Sequence, residues 1–214
     1  MTPAEQSIAA EQICRLAPVV PVLIVEDVAT AVPLAKALVA GGLPALEVTL
    51  RTKAALEVIR AMAEVEGGVV GAGTLLTRAD VKAAKAAGAQ FGVSPGATQG
   101  LIEACEDEGL ALLPGASSAS EAMALLERGY TMQKFFPAEQ AGGAAFLKAL
   151  SSPLPQVRFC PTGGISLKNA GDYLSLPNVL CVGGSWVAPK DAIAAGNWAE
   201  VTRLAAGAAA LPRS

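Results

Sequence analysis

A glutamate and a lysine, each embedded in an apolar run, are the residues of this sequence whose surroundings demand a chemical explanation. In "ALEVTLR" (45–51) the two-residue period of a strand places Leu46, Val48 and Leu50 on one face and Glu47, Thr49 and Arg51 on the other. Where both faces of the strand are buried, a carboxylate on the inner face is costly unless it is paired or its pKa is raised. Such a group is suited to general acid/base work; the structural alternative is an ion pair with Arg51 or Lys134. In "TMQKFFPAE" Lys134 shares its face with Met132 and Phe136. Desolvation disfavours an ammonium, and a neutral amine is a nucleophile toward a carbonyl carbon. A lysine that snorkels from an edge strand is the other reading, but a closed barrel has no edge strand.

Two glycine pairs supply a second kind of chemistry. Gly163 and Gly164 in "CPTGGIS", and Gly183 and Gly184 followed by Ser185 in "CVGGSWV", let backbone N–H groups approach an anion closely. In barrels of alternating strands and helices, phosphate is often bound in the loops after strands 7 and 8, where both pairs fall. Thr74 ends "GAGT" and Pro95 lies in "SPG"; each fits turn chemistry as well as a pocket wall. Glu139 could orient the loop after the lysine strand or cap the helix that follows, the cap being the favoured reading, and Trp186 and Trp198 are expected to be packing residues.

The elements that would position these groups alternate along the whole chain. Short β-branched or apolar runs fall at Val19–Val25, Ala45–Leu50, Val69–Gly73, Gln90–Ser94, Ala111–Pro114, Met132–Phe136, Val157–Pro161 and Val179–Gly183. Helical stretches are expected at Ala29–Ala40, Lys53–Glu64, Arg78–Ala87, Gln99–Glu108, Ser118–Glu127, Gly143–Leu150, Leu167–Leu174 and Ala192–Ala209, several of them ended by glycine. A further helix over residues 3–16 would precede the first strand. This pattern predicts an α/β protein: one (β/α)8 TIM barrel, residues 1–214, with an additional N-terminal helix. An open doubly wound sheet is the competing arrangement, but no GxGxxG follows Val25.

Composition closes several routes. The chain has 214 residues and no histidine, which excludes Ser-His-Asp and Cys-His catalysis and imidazole-based zinc sites. A net charge of -3 without basic clusters gives a nucleic acid or an anionic membrane no surface to meet, so a small solute is the expected partner. Cys14, Cys105, Cys160 and Cys181 lie far apart in the chain without CxxC spacing and are expected to be reduced, buried thiols. No metal is expected. The N-terminus lacks a basic region and cleavage site, and no apolar stretch is long enough to span a bilayer, so a cytoplasmic protein is expected.

Taken together, "GGLPALEVTLRT", "VGAGT", "AGAQFGVSPG", "LPGASSASE", "KFFPAE", "RFCPTGGIS" and "VLCVGGSW" resemble the 2-keto-3-deoxy-6-phosphogluconate (KDPG) and 4-hydroxy-2-oxoglutarate (KHG) aldolases over nearly the whole chain. The resemblance implies a class I aldolase, homotrimeric and needing no cofactor beyond an imine formed with substrate on Lys134. It implies Glu47 as proton shuttle and Arg51 and Thr74 as binders of the substrate carboxylate. Pro95 and Phe136 would line the pocket, and Thr162 would touch the substrate chain. Gly163, Gly164, Gly184 and Ser185 would hold phosphate. Some relatives carry an arginine in the first strand; here the segment reads "PVLIV". A sugar-phosphate isomerase using Glu47 alone, or a non-catalytic sugar-acid binder, would be the competing functions.

Overall fold

The computed structural model describes residues 1–214 and shows an α/β fold whose strands all pair in parallel. The strands are β1 Val19–Leu23, β2 Ala45–Thr49, β3 Val69–Gly73, β4 Phe91–Val93, β5 Ala111–Leu113, β6 Gly115–Ala116, β7 Met132–Phe135, β8 Arg158–Pro161 and β9 Val182–Gly184. Six of them form one curled sheet in the order β5-β4-β3-β2-β1-β9, and three form another in the order β6-β7-β8. Only Pro114 separates β5 from β6; it has no N–H to donate, which divides one extended stretch into two short strands. Between β8 and β9 there are two parallel bridges, Phe159 to Val179 and Thr162 to Gly183.

The helices are α1 Pro3–Cys14, α2 Ala31–Ala40, α3 Ala55–Ala63, α4 Arg78–Ala86, α5 Gln99–Glu108, α6 Ala119–Glu127, α7 Gly143–Leu150, α8 Ala170–Leu174, α9 Lys190–Ala194 and α10 Trp198–Ala209. Their starts follow from local chemistry. Thr2 with Glu5, and Thr77 with Asp80, form reciprocal capping boxes that satisfy otherwise unpaired N–H groups. The stretch expected as one helix over Ala192–Ala209 is instead two helices. Gly196 adopts φ 63° and Asn197 caps α10 by accepting from the Glu200 N–H, so a stop and a start are written into consecutive residues. Likewise the helix expected at Leu167 begins only at Ala170, because the Asn169 carboxamide accepts from the Ser166 N–H and holds a turn there.

Burial divides into two apolar clusters, and the division explains the strand pattern. The larger contains Leu46, Val48, Val70, Leu112 and Phe135 together with helix residues such as Leu34, Ile59 and Leu125. The smaller gathers Val20, Ala45, Phe91, Val93, Leu113 and Met132 with Ala10 and Cys14 of α1. Alternate residues of a strand thus face the helices or the interior between the sheets, as the period of two requires. Burial of these apolar chains, worth about 25 cal/mol per Å² removed from water, holds both faces in place. No helix is long and apolar enough to cross a membrane.

Candidate active site

Glu47 and Lys134 come from different sheets and meet in the interior. Glu47 pairs in register with Val22 of β1 and Gly71 of β3, and Lys134 with Gly115 of β6 and Cys160 of β8. Their side chains are 4% and 6% exposed, and Lys134 Nζ donates to Glu47 Oε1 across 3.4 Å. That separation leaves room for small displacements toward a bound molecule. Burial pushes the Glu47 carboxyl above the ordinary carboxylate range, with the charge of Lys134 partly offsetting the rise. A carboxyl poised in this way can hold or release a proton closer to neutrality than an exposed glutamate can.

Space for this carboxyl depends on a residue with no side chain. A methyl group built on Gly73 of β3 would lie 2.3 Å from Glu47 Oε1 and 2.7 Å from its Cγ, so only glycine lets the carboxyl lie flat against that strand. Lys134 Nζ sits 5.2 Å from the centroid of the Phe136 ring, which covers the amine on the side facing the strand ends.

Beyond Phe136 opens a cavity of about 160 Å³ lined by Val22, Ile24, Arg51, Phe136, Thr162, Gly163, Gly164, Ile165, Gly183, Gly184 and Ser185. Seven of the residues expected at the site therefore share one cavity; Lys134 and Glu47 do not line it, and Phe136, whose ring lies against the amine, connects the two. Thr162 is buried and its Oγ1 has no hydrogen-bond partner, an unusual state for an inward hydroxyl and one that a ligand would relieve. Gly163 and Gly164 adopt φ 103° and 76°, a region open to glycine at little cost, so their N–H groups can turn toward the cavity. Arg51 is exposed at its mouth and donates through Nε to Thr74 Oγ1 at 3.3 Å. Thr74 is the one non-glycine residue with positive φ, 61°, a strained setting for a β-branched side chain.

Pro95 is half-buried and does not line the cavity; its carbonyl packs against Gly115, the residue in register with Lys134. Two larger clefts of about 310 Å³ lie elsewhere, one by α5 and α6 and one by Glu26, Asp27 and Lys190. Neither includes a residue in contact with the buried Lys134 and Glu47 pair, whereas the smaller cavity shares Phe136 with Lys134, so chemistry rather than size locates the site.

Three features differ from or go beyond the sequence reading. Of the two roles open to Glu139 the structure takes the loop and not the cap: α7 has Gly142 at its N-cap position and no side-chain cap, and the Glu139 carboxylate accepts from the Tyr173 hydroxyl, bracing the loop behind Gly164. Trp186 lies against Gly184, whose missing Cβ would overlap the indole, so this packing residue shapes one glycine pair. Finally, Cys14, Cys160 and Cys181, far apart in the chain, bring their sulfurs within 4.8 Å of one another. The strand period carried a signal for one of them, because Cys160 lies in register with Lys134 and must face the same interior.

Parallel strands with a buried lysine and carboxyl in their interior, joined through Phe136 to a glycine-rich cavity, define an α/β enzyme of the carbonyl-handling kind. Comparison with known proteins makes the class specific. The family model "KDPG and KHG aldolase" matches residues 10–204. A 2-dehydro-3-deoxy-phosphogluconate aldolase of Pseudoalteromonas atlantica is 53% identical over 204 residues, covering 95% of each chain. The crystal structure of the KDPG aldolase of Zymomonas mobilis with 3-phosphoglycerate superposes with a TM-score of 0.90 at 50% identity, covering 95% of this chain and 96% of that one. That of the Legionella pneumophila KDPG aldolase, with pyruvate captured as a covalent carbinolamine, gives 0.90 at 45% identity, covering 94% and 98%. The chain belongs to the KDPG and KHG aldolase family.

Proposed function

We propose that this protein cleaves 2-dehydro-3-deoxy-6-phosphogluconate to pyruvate and glyceraldehyde 3-phosphate through an imine on Lys134, and accepts 4-hydroxy-2-oxoglutarate by the same route. The observation that carries the reading is the buried Lys134 amine 3.4 Å from the buried Glu47 carboxyl, with the Phe136 ring that lies against the amine also lining a cavity rich in glycine. The amine attacks the C2 ketone, and Glu47 protonates the carbinolamine oxygen so that it leaves as water. The resulting iminium withdraws electrons from C3. Glu47, now a base, takes the C4 hydroxyl proton as the C3–C4 bond breaks and the aldehyde departs. Protonation of the enamine at C3 and hydrolysis return pyruvate and free Lys134.

Arg51 and Thr74 are assigned to the substrate carboxylate, fixing the ketone against the amine. Phe136 shapes the wall, Pro95 acts only from behind, through its carbonyl against Gly115 beside Lys134, and Thr162 meets the substrate chain with its unpaired hydroxyl. The N–H groups of Gly163, Gly164, Gly184 and Ser185 are assigned to phosphate. No cofactor is required, since the iminium is itself the electron sink. An isomerase using Glu47 alone would leave the burial of Lys134 beside it without a purpose.

The same reading treats residues 1–214 as one domain and the two sheets as one closed ring of eight strands. The continuity of β5 with β6 and the bridges from β8 to β9 support that closure. A homotrimer in the cytoplasm completes it. The test is borohydride reduction in the presence of pyruvate: one pyruvoyl-derived adduct on Lys134 is expected by peptide mass mapping, with no adduct and no turnover in Lys134→Ala. Wild-type turnover in that variant would overturn the assignment.

A further inference from the structure

The interior holds a second cluster of reactive groups on which the aldolase reaction does not call. Cys14 ends α1, Cys160 lies in β8, and Cys181 immediately precedes β9. All three are free and buried, and their Sγ atoms lie within 4.8 Å of one another. We propose that these residues form a three-thiol site that binds a trivalent, thiol-seeking metalloid such as arsenite as a neutral tris-thiolate.

Geometry and charge together select that ligand class. A trivalent centre with a lone pair is pyramidal, and three sulfurs bonded to it at roughly the ~2.3 Å of a metal–thiolate bond lie about 3.5 Å apart, so contraction by at most about 1.3 Å from the observed spacing completes the site. Sulfur donors select soft centres. Zinc is a poorer match, because its closed structural sites take four ligands and three thiolates would leave an open position and a net negative charge. Here that charge would be buried and would stand near Glu47, which already opposes ionisation of Cys14. A trivalent centre avoids both problems. As(OH)3 and three thiols give As(SR)3 and three waters: three S–H and three As–O bonds break, three As–S and three O–H bonds form, and arsenic stays trivalent. No charge is introduced beside Lys134, which lies in register with Cys160.

The charges around the thiols differ: Lys134 lies near Cys160 and favours its thiolate, whereas Glu47 disfavours ionisation of Cys14. Cys105 is not part of the group; burial in α5 pushes its thiol up to about 12, and it serves as an internal control.

The experiment refolds the reduced full-length chain from urea with and without sodium arsenite, so that burial of the site does not bar entry. The arsenite-free sample must regain native circular dichroism. One arsenic per chain is expected, with X-ray absorption showing three sulfur neighbours and no oxygen, and a melting temperature that rises with arsenite concentration because only the folded chain assembles the site. Cys14→Ala and Cys14→Ser should each weaken binding by at least roughly 10–100-fold, the loss that removal of a mere supporting group around a metal causes. Both should leave arsenic with two sulfurs and an oxygen, while Cys105→Ser binds as wild type. Two or fewer sulfurs in the wild type, or undiminished binding by both Cys14 variants, would overturn the proposal.

Discussion

Substituting Gly73 by alanine would displace the Glu47 carboxyl, the proposed proton shuttle, without removing any reactive group. The new Cβ would lie 2.3 Å from Glu47 Oε1, 2.7 Å from Cγ and 2.9 Å from Cδ. Ordinary contacts between such atoms are about 3.5 Å, so the carboxyl must retreat by roughly 1 Å. The φ of Gly73 is not in the positive region, and the backbone itself accepts alanine. A displacement of that size at a reacting group costs on the order of 100-fold in rate, about 2.7 kcal/mol of transition-state stabilisation. Overpacking of β3 against β2 should also lower stability by about 1–3 kcal/mol. The assay is kcat for pyruvate release, followed with a coupled dehydrogenase, alongside borohydride trapping of pyruvate on Lys134, which should persist. Gly92→Ala separates the two effects: its Cβ would strike Leu75 Cδ1 at 2.5 Å, away from Glu47, so it should lower the melting temperature while kcat holds. An unchanged kcat in Gly73→Ala would refute the view that this glycine fixes the position of the shuttle.

The remaining expectations concern Glu47 and Thr74. Glu47→Gln should lower kcat by about 10²–10⁴, the usual worth of a positioned acid/base, while still forming the trapped pyruvate adduct. Because burial raises the Glu47 carboxyl, its charged, proton-accepting form is lost as pH falls through a value above the usual 4.5. The acidic limb of the wild-type kcat/KM profile should therefore lie above 4.5 and be missing from the Gln variant; a limb at or below that value would contradict the burial argument. Thr74→Gly relieves a positive-φ strain of about 1–3 kcal/mol against a glycine entropy cost of about 0.5–1 kcal/mol, so the melting temperature should hold or rise. It also deletes the acceptor of the Arg51 Nε–H, and KM should rise roughly 2- to 10-fold, as the loss of a hydrogen bond worth about 0.5–1.5 kcal/mol implies. A fall in melting temperature would show that the Thr74 side chain stabilises more than its backbone strains.

What could be read from the chain alone was whatever depends on local period and on the cost of burying charge. Glu47 and Lys134 were legible because each interrupts an apolar strand at a position whose neighbours two residues away also point inward. The glycine pairs were legible because strand order put both at one end of the sheets. Strand cores were close, with Ala45–Thr49 against an expected Ala45–Leu50 and Phe91–Val93 against Gln90–Ser94; the misses lie at ends, where pairing competes with turns. The split of the last helix was also written locally, in Gly196 followed by Asn197, but the alanines around it masked the stop.

Properties that arise only when distant strands converge were not legible. Gly73 matters through the volume it leaves to a carboxyl on β2, and no pattern within β3 announces a space. For Glu139 the cap outweighed the loop reading because an acidic residue before a helix is usually a cap; its actual partner, Tyr173, is brought to it by the fold. The cysteines make the same point most sharply. Local spacing rejects them as a cluster, yet strand register fixes where Cys160 faces, α1 packs against β5 and β7, and the residue before β9 completes the group. One interior thus holds two clusters: the Lys134 and Glu47 pair to which we assign the proton shuttle, and a thiol triad that includes the last residue of the N-terminal helix. The strand period that makes the first readable also brings the second together, since it turns Lys134 and Cys160 into the same space.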